Sequence, residues 1–220
     1  MALNKLKYNS LNVTPVANKA ISFDSDPDAL EATLEGGAMT FIKKLTASSD
    51  GTLSFVDGTS DVVFDNTYKE YLFIFNNVHP ATDAAALTFN GSDDDSSHSY
   101  DVTKTTTYFY AYNTENDSAT NLVYDTSQDL AQATGFQNLA ASIGSDNDQG
   151  LSGSLRIFNP SSTTFVKHFI GETHISSHEN LALHFFIGGY FNTTADITAM
   201  QFKMSSGNID AGTITLYGIN

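Results

Sequence analysis

From residue 39 onward, apolar and polar residues alternate with period two in short runs, and clusters of Gly, Asn, Asp and Ser separate those runs. Alternation of this kind sends successive side chains to opposite faces of a half-buried strand. It predicts strands over residues 39–45, 52–56, 71–78, 86–90, 99–112, 151–158, 165–172, 181–191, 197–204 and 213–217. Many short strands with turn-rich joins predict an all-β fold, a two-sheet antiparallel β-sandwich of jelly-roll type, with a simple barrel as the alternative.

Within these runs Leu53 and Phe55 share one face. Phe165, Lys167 and Phe169 share another, with Val166, His168 and Ile170 opposite. Bulk on both faces predicts a central strand covered on both sides, or a strand with one face in an oligomer interface. Residues 127–139 have low β propensity and predict a turn or two of helix, cut short by Gly135. Ser206-Gly207-Asn208 and Asp210-Ala211-Gly212 supply turn residues for a hairpin between the last two strands, and Asn159-Pro160-Ser161-Ser162 ends another strand. The run Gly91-Ser92-Asp93-Asp94-Asp95-Ser96-Ser97 reads as a loop tip.

Residues 1–38 follow a different pattern, with every short apolar run interrupted and Pro15, Pro27, Gly36 and Gly37 as punctuation. Leu3, Leu6, Tyr8, Leu11, Val13, Ile21 and Phe23 are too many for a solvated linker and too scattered for a core of their own. They predict an extended N-terminal arm, residues 1–38, for assembly or docking, ahead of a β-sandwich over 39–220.

The full 220 residues suit one such domain. Only 16% are charged, so Ser, Thr, Asn and Gln must carry much of the polar surface. A net charge of −15, with ten Lys and Arg of which Arg156 is the one arginine, argues against nucleic acid as a partner, because phosphate contact needs clustered cations. The same charge resists non-specific association. With no cysteine there is no disulfide, thiolate metal site or cysteine nucleophile. No stretch reads as a signal peptide or membrane span, which gives the expectation of a protein made soluble in a cytosol and not inserted in a membrane.

Candidate chemistry is sparse. Glycoside hydrolysis needs two carboxylates converging across a cleft, whereas most acids here sit in turn clusters such as Asp93 to Asp95 and Asp146-Asn147-Asp148. Asp93, Asp95, Asp146 and Asp148 lack EF-hand spacing, and calcium at a subunit boundary stays open. His168, His174, His178 and His184 lie close in sequence without HExxH spacing, and read as surface or interface histidines, with His174 and His178 at a hairpin tip. No GxSxG elbow, phosphate loop or GxGxxG fingerprint occurs, so neither a catalytic site nor a cofactor is expected. Tyr108-Phe109-Tyr110-Ala111-Tyr112 puts aromatics on both faces of one strand, where they serve as core, as a sugar-stacking platform or as interface anchors.

Gly189-Tyr190-Phe191-Asn192-Thr193-Thr194 and the ending Gln201-Phe202-Lys203-Met204-Ser205-Ser206-Gly207-Asn208-Ile209-Asp210-Ala211-Gly212-Thr213-Ile214-Thr215-Leu216-Tyr217-Gly218-Ile219 resemble a recurring ending in virion proteins of marine tailed bacteriophages. Tyr68-Lys69-Glu70-Tyr71, Val78-His79-Pro80-Ala81-Thr82-Asp83 and Phe158-Asn159-Pro160-Ser161-Ser162-Thr163-Thr164-Phe165-Val166-Lys167 look like the same family. The resemblance spans residues 39–219 and rests on strand-and-turn motifs. It implies a structural or tail-fibre-like protein and transfers no functional residue.

The expected function is a non-enzymatic structural component of a tailed-phage virion, tail fibre or spike in preference to head decoration, with the arm docking and the sandwich exposed. Capsid decoration and a carbohydrate-binding adhesin with contact loops at residues 93–99 and 175–178 are the alternatives. Expected partners are other virion proteins, further copies of the chain, a trimer foremost, and a host surface glycan. The expected location is the virion, assembled in the host cytoplasm.

Overall fold

The computed structural model describes residues 38–219 in full, with the backbone of two short strands before them. The chain divides into two units, Met1–Gly37 and Ala38–Asn220. In the first, β1 (Ser22–Phe23) and β2 (Leu30–Glu31) pair antiparallel with Phe23 opposite Leu30. Of the predicted arm residues, Leu3, Leu6, Tyr8, Leu11, Val13 and Ile21 lie outside the described residues, and Phe23 is described in its backbone alone.

The second unit holds β3 (Met39–Thr46), β4 (Leu53–Val56), β5 (Glu70–Pro80), β6 (Ala85–Ser92), β7 (Lys104–Thr114), β8 (Thr120–Tyr124), β9 (Gln137–Ile143), β10 (Leu151–Phe158), β11 (Lys167–Ser176), β12 (Leu181–Phe191), β13 (Ala199–Met204) and β14 (Ile209–Ile219). They form two wholly antiparallel sheets, a large one ordered β3-β14-β5-β10-β11-β12-β7-β8 and a small one ordered β4-β13-β6-β9. The fold is an all-β sandwich. If the β7–β8 and β11–β12 hairpins are set aside and the remaining strands are numbered 1 to 8 along the chain, the large sheet reads 1-8-3-6 and the small sheet 2-7-4-5. Both hairpins widen the large sheet on the same side, past β10.

Phenylalanines fill the space between the sheets. From β13, Phe202 sits 5.1 Å from Phe73 and 5.4 Å from Phe75 of β5, and 6.2 Å from Phe55 of β4, all edge to face, the arrangement ring quadrupoles favour. Phe89 of β6 meets Phe169 of β11 at 5.2 Å and Phe191 of β12 at 6.2 Å, joining the small sheet to the middle of the large one. Strict alternation along β11, with Lys167, Phe169, Gly171, Thr173 and Ile175 buried and His168, Ile170, Glu172 and His174 exposed, sets which face looks inward. Within the second unit, the outer face of β11 is therefore uncovered.

Several expectations are corrected. Residues 127–139 hold no helix. Ala133 exchanges backbone hydrogen bonds with Lys104 of β7, the Leu130 carbonyl accepts from the Thr106 amide while the Leu130 amide donates to Thr106 Oγ1, and the buried Gln137 side chain donates to the Gln128 and Asn138 carbonyls. Pairing with a neighbouring strand satisfies the backbone groups that a helix would have satisfied internally. Neither β8 nor β9 was expected; the first is exposed along nearly its whole length and the second is rich in small residues, so neither shows a clear apolar alternation.

The last two strands form no hairpin. β13 pairs with β4 and β6, and β14 with β3 and β5, so the Ser205–Asn208 turn carries the chain from one sheet to the other. Asp210-Ala211-Gly212 lies inside β14, where the register to β5 slips at Ala211 and Gly212 takes a φ of +102°. A Cβ there would clash with the Asn77 carbonyl oxygen, which is why glycine occupies this bulge.

Candidate functional site

The large sheet extends beyond the edge of the small one at β9, and the overhang creates a cleft of about 500 Å³. Its floor is the inward face of β7 and β12. Alternation aims Tyr108, Tyr110 and Tyr112 the same way, while Phe109 and Ala111 look outward. Phe185, paired with Tyr110 in register, lies 5.6 Å from Tyr108 and 5.5 Å from Tyr110, and Leu181 and Leu183 continue the floor toward the β11–β12 turn. Ala141 and Ser142 of β9 form one wall, and the chain after β8 brings Asp125 and Gln128 to the rim.

Burial falls along β7 from Tyr108, which is fully buried, to Tyr110 and Tyr112, which are half-buried. The Tyr108 hydroxyl is buried with no hydrogen-bond partner. Loss of solvent pushes its pKa up, and the nearby Asp125 carboxylate adds to this; Tyr110 shifts the same way for the same reasons. Asp125 accepts from the Ser127 amide and hydroxyl through Oδ1 at 2.9 and 2.7 Å, and Oδ2 has no partner among the described residues. Gln128 is engaged elsewhere, its Oε1 accepting from Asn138 and its Nε2 donating to Ser127 at 3.2 Å. Among the described residues, two carboxylates, Asp125 and Glu179, line the cleft, and no Lys, Arg or His does.

The histidines do not gather here. His168, His174 and His184 project from the outer face of the large sheet, and His178 lies in the β11–β12 turn. His174 therefore belongs to β11 rather than to a hairpin tip. It stands opposite His184 with ring centroids 6.0 Å apart, and His184 Nε2 is 2.8 Å from Glu172 Oε1. Partial burial and the neighbouring His184 hold the His174 pKa below its ordinary value. Among the described residues, no group of three or more His, Cys, Asp or Glu is placed to hold a metal ion.

The acidic loop tip has one organising residue. Asp94 accepts from the amides of Ser96, Ser97, His98 and Ser99, and this keeps its carboxyl well below the usual range. The loops expected to contact a glycan, residues 93–99 and 175–178, supply no lining residue to the cleft; Glu179, just beyond the second, does.

The outer face of the large sheet is the other notable surface. Ile170 is 59% exposed, Phe41 58% and Leu122 67%. Phe109 and Phe186 stack across β7 and β12 at 5.0 Å, and Phe41 lies 6.0 Å from Tyr217 at the opposite end. One arginine crosses this face, its guanidinium 3.1 Å from Glu70 Oε2, so Arg156 is neutralised locally. Phe165, expected within the strand on one face with Lys167 and Phe169, precedes β11 and is 69% exposed.

Sequence reasoning located the Tyr108–Tyr112 aromatics and missed Asp125, Gln128 and Glu179, which come from separate loops. It also missed the buried Lys104, although the inward parity it shares with Tyr108 along β7 was a usable signal. Comparison of the chain with protein-family models, curated proteins and solved structures gave no match.

Proposed function

We propose that this chain is a non-enzymatic structural component of a tailed-phage virion, associated with the tail fibre or spike, that assembles as a trimer. The observation that carries the reading is the strand order 1-8-3-6 over 2-7-4-5 once the two hairpins are set aside, which we read as the interleaved Greek keys of a jelly roll, an architecture used in viral capsid and lectin domains. A fold supports many functions, so the order is joined to a second feature, the outer face of the large sheet. Its exposed aliphatic and aromatic side chains are those that interface cores select, and its one arginine is already paired. In this reading further copies of the chain cover that face, and the N-terminal arm docks on other virion proteins.

Light scattering coupled to size-exclusion chromatography on the full chain tests this. A mass three times the 23.8 kDa chain is expected, falling to the monomer in Ile170→Glu, which places a charge at the centre of the outer face without touching the core. A monomeric full chain, or an Ile170→Glu variant that stays trimeric, would remove self-assembly through this face.

A further inference from the structure

We infer that the cleft between β7, β12 and the loop after β8 is a binding site for a neutral saccharide. This goes beyond a structural role and stands whether or not the chain forms a trimer.

The lining has the chemistry that an uncharged sugar requires. Tyr110 and Phe185 offer ring surface against which the C–H face of a pyranose packs. Beside it, Asp125 Oδ2 and the Glu179 carboxylate have no protein partner among the described residues, and carboxylates are strong acceptors for sugar hydroxyls. The Tyr108 hydroxyl is the most telling group. A buried hydroxyl without a partner costs free energy, and native interiors rarely leave one so. Tyr108 is a lining residue of the cleft floor, and a ligand hydroxyl that reached its hydroxyl would satisfy it. Tyr110 and Tyr112 add hydroxyls likewise free of partners within the described residues.

Charge narrows the ligand class. With two carboxylates and no cationic side chain among the described lining residues, a uronate or sulfated sugar would bring its anion against Asp125 and Glu179 with no countercharge from them. The volume, about 500 Å³, lies within the range of roughly 300–1,000 Å³ that small-molecule pockets span. Strands β7, β12 and β9 supply most of the lining and the loop after β8 is tied to β7 by the Asp125 amide, which donates to the Tyr108 carbonyl at 3.0 Å, so little ordering accompanies binding.

The test uses the full chain, with saturation-transfer NMR and tyrosine fluorescence titration against cellotriose, maltotriose, mannotriose and chitotriose, and with trigalacturonate as the anionic probe. At least one neutral trisaccharide is expected to bind with a Kd of about 1 mM or tighter. Trigalacturonate should bind at least about tenfold more weakly, an energy difference typical of one uncompensated charge at a polar rim. Tyr110→Ala, at a half-buried position, should weaken the neutral ligand about tenfold or more by removing the platform. Tyr108→Phe keeps the ring and the fold while deleting the hydroxyl; it should weaken binding several-fold and leave the free protein as stable as before or more so. No transfer to any neutral probe, equal binding of trigalacturonate, or affinity unchanged in both variants would overturn the inference. Release of reducing ends from a bound probe would support the site and overturn the non-enzymatic reading, so the two proposals fail separately.

Discussion

Replacing Lys104 by Met should abolish much of the stability that the protein gains between neutral and alkaline pH. The Lys104 side chain points into the sandwich with no solvent exposure, Nζ donating to the Val102 carbonyl at 2.9 Å and to the Gly135 carbonyl at 2.7 Å. Loss of hydration lowers its pKa from 10.5 to about 7, with Asp101 opposing weakly. In the unfolded chain the ammonium returns to its ordinary value. Between the two values the unfolded state holds the extra proton, so unfolding becomes harder as pH rises, by up to about 1.4 kcal/mol per pH unit. Below pH 7 both states are charged and the folded chain carries the whole burial cost, about 5 kcal/mol from the two pKa values.

Between about pH 7 and pH 9.5 the gain from this one group amounts to about 3 kcal/mol. Above pH 10 the buried Tyr71 and Tyr108 hydroxyls work in the other direction. Their folded pKa values are raised, so the stability they contribute is lost as pH climbs past the unfolded value. Lys167, also lowered by burial, is present in both proteins and drops out of the comparison. Met preserves side-chain length, and Gly135 retains a weak donor in Asn90 at 3.5 Å, which limits the cost of deleting the ammonium. Urea unfolding followed by tyrosine fluorescence, which no tryptophan obscures, measures both proteins across the window. The wild type should steepen with pH relative to Lys104→Met. Parallel pH profiles would refute the argument that a buried, desolvated lysine is present.

Phe202→Ala should cost about 3–5 kcal/mol in urea unfolding, because its ring packs against rings from β4, β5 and β6 that cannot collapse into the gap. Gly212→Ala should destabilise by about 2 kcal/mol or more, since φ there is +102° and the new methyl meets the backbone of Asn77 and Val78; a thermal melt within a degree of wild type would contradict the bulge geometry. Asp94→Ala should speed amide exchange at Ser96 to Ser99, which lose their shared acceptor, and leave the core amides unchanged. Because the Asp94 carboxyl titrates below its unfolded value, the stability it contributes is present above pH 4 and lost as pH falls further, and an Asp94→Ala variant should lack that part of the acid dependence.

The period-two alternation was enough to identify an all-β sandwich and to place β10 and β12 at their observed limits, because a strand with one buried face must repeat every second residue. The same parity marks Tyr108, Tyr110 and Tyr112 as one face of β7. What alternation cannot carry is which strand lies beside which. The Ser206-Gly207-Asn208 turn looks the same in sequence whether it closes a hairpin or crosses between sheets, and the crossing is decided by β13 and β14 finding partners far away in the chain. Residues 127–139 show the same limit, since their weak local preference yielded to hydrogen bonds offered by β7. The cleft itself is wholly tertiary. It exists because the large sheet is wider than the small one, and Asp125 and Glu179, which lie in unrelated turns, come to line one cleft only when β7, β8 and β12 are side by side.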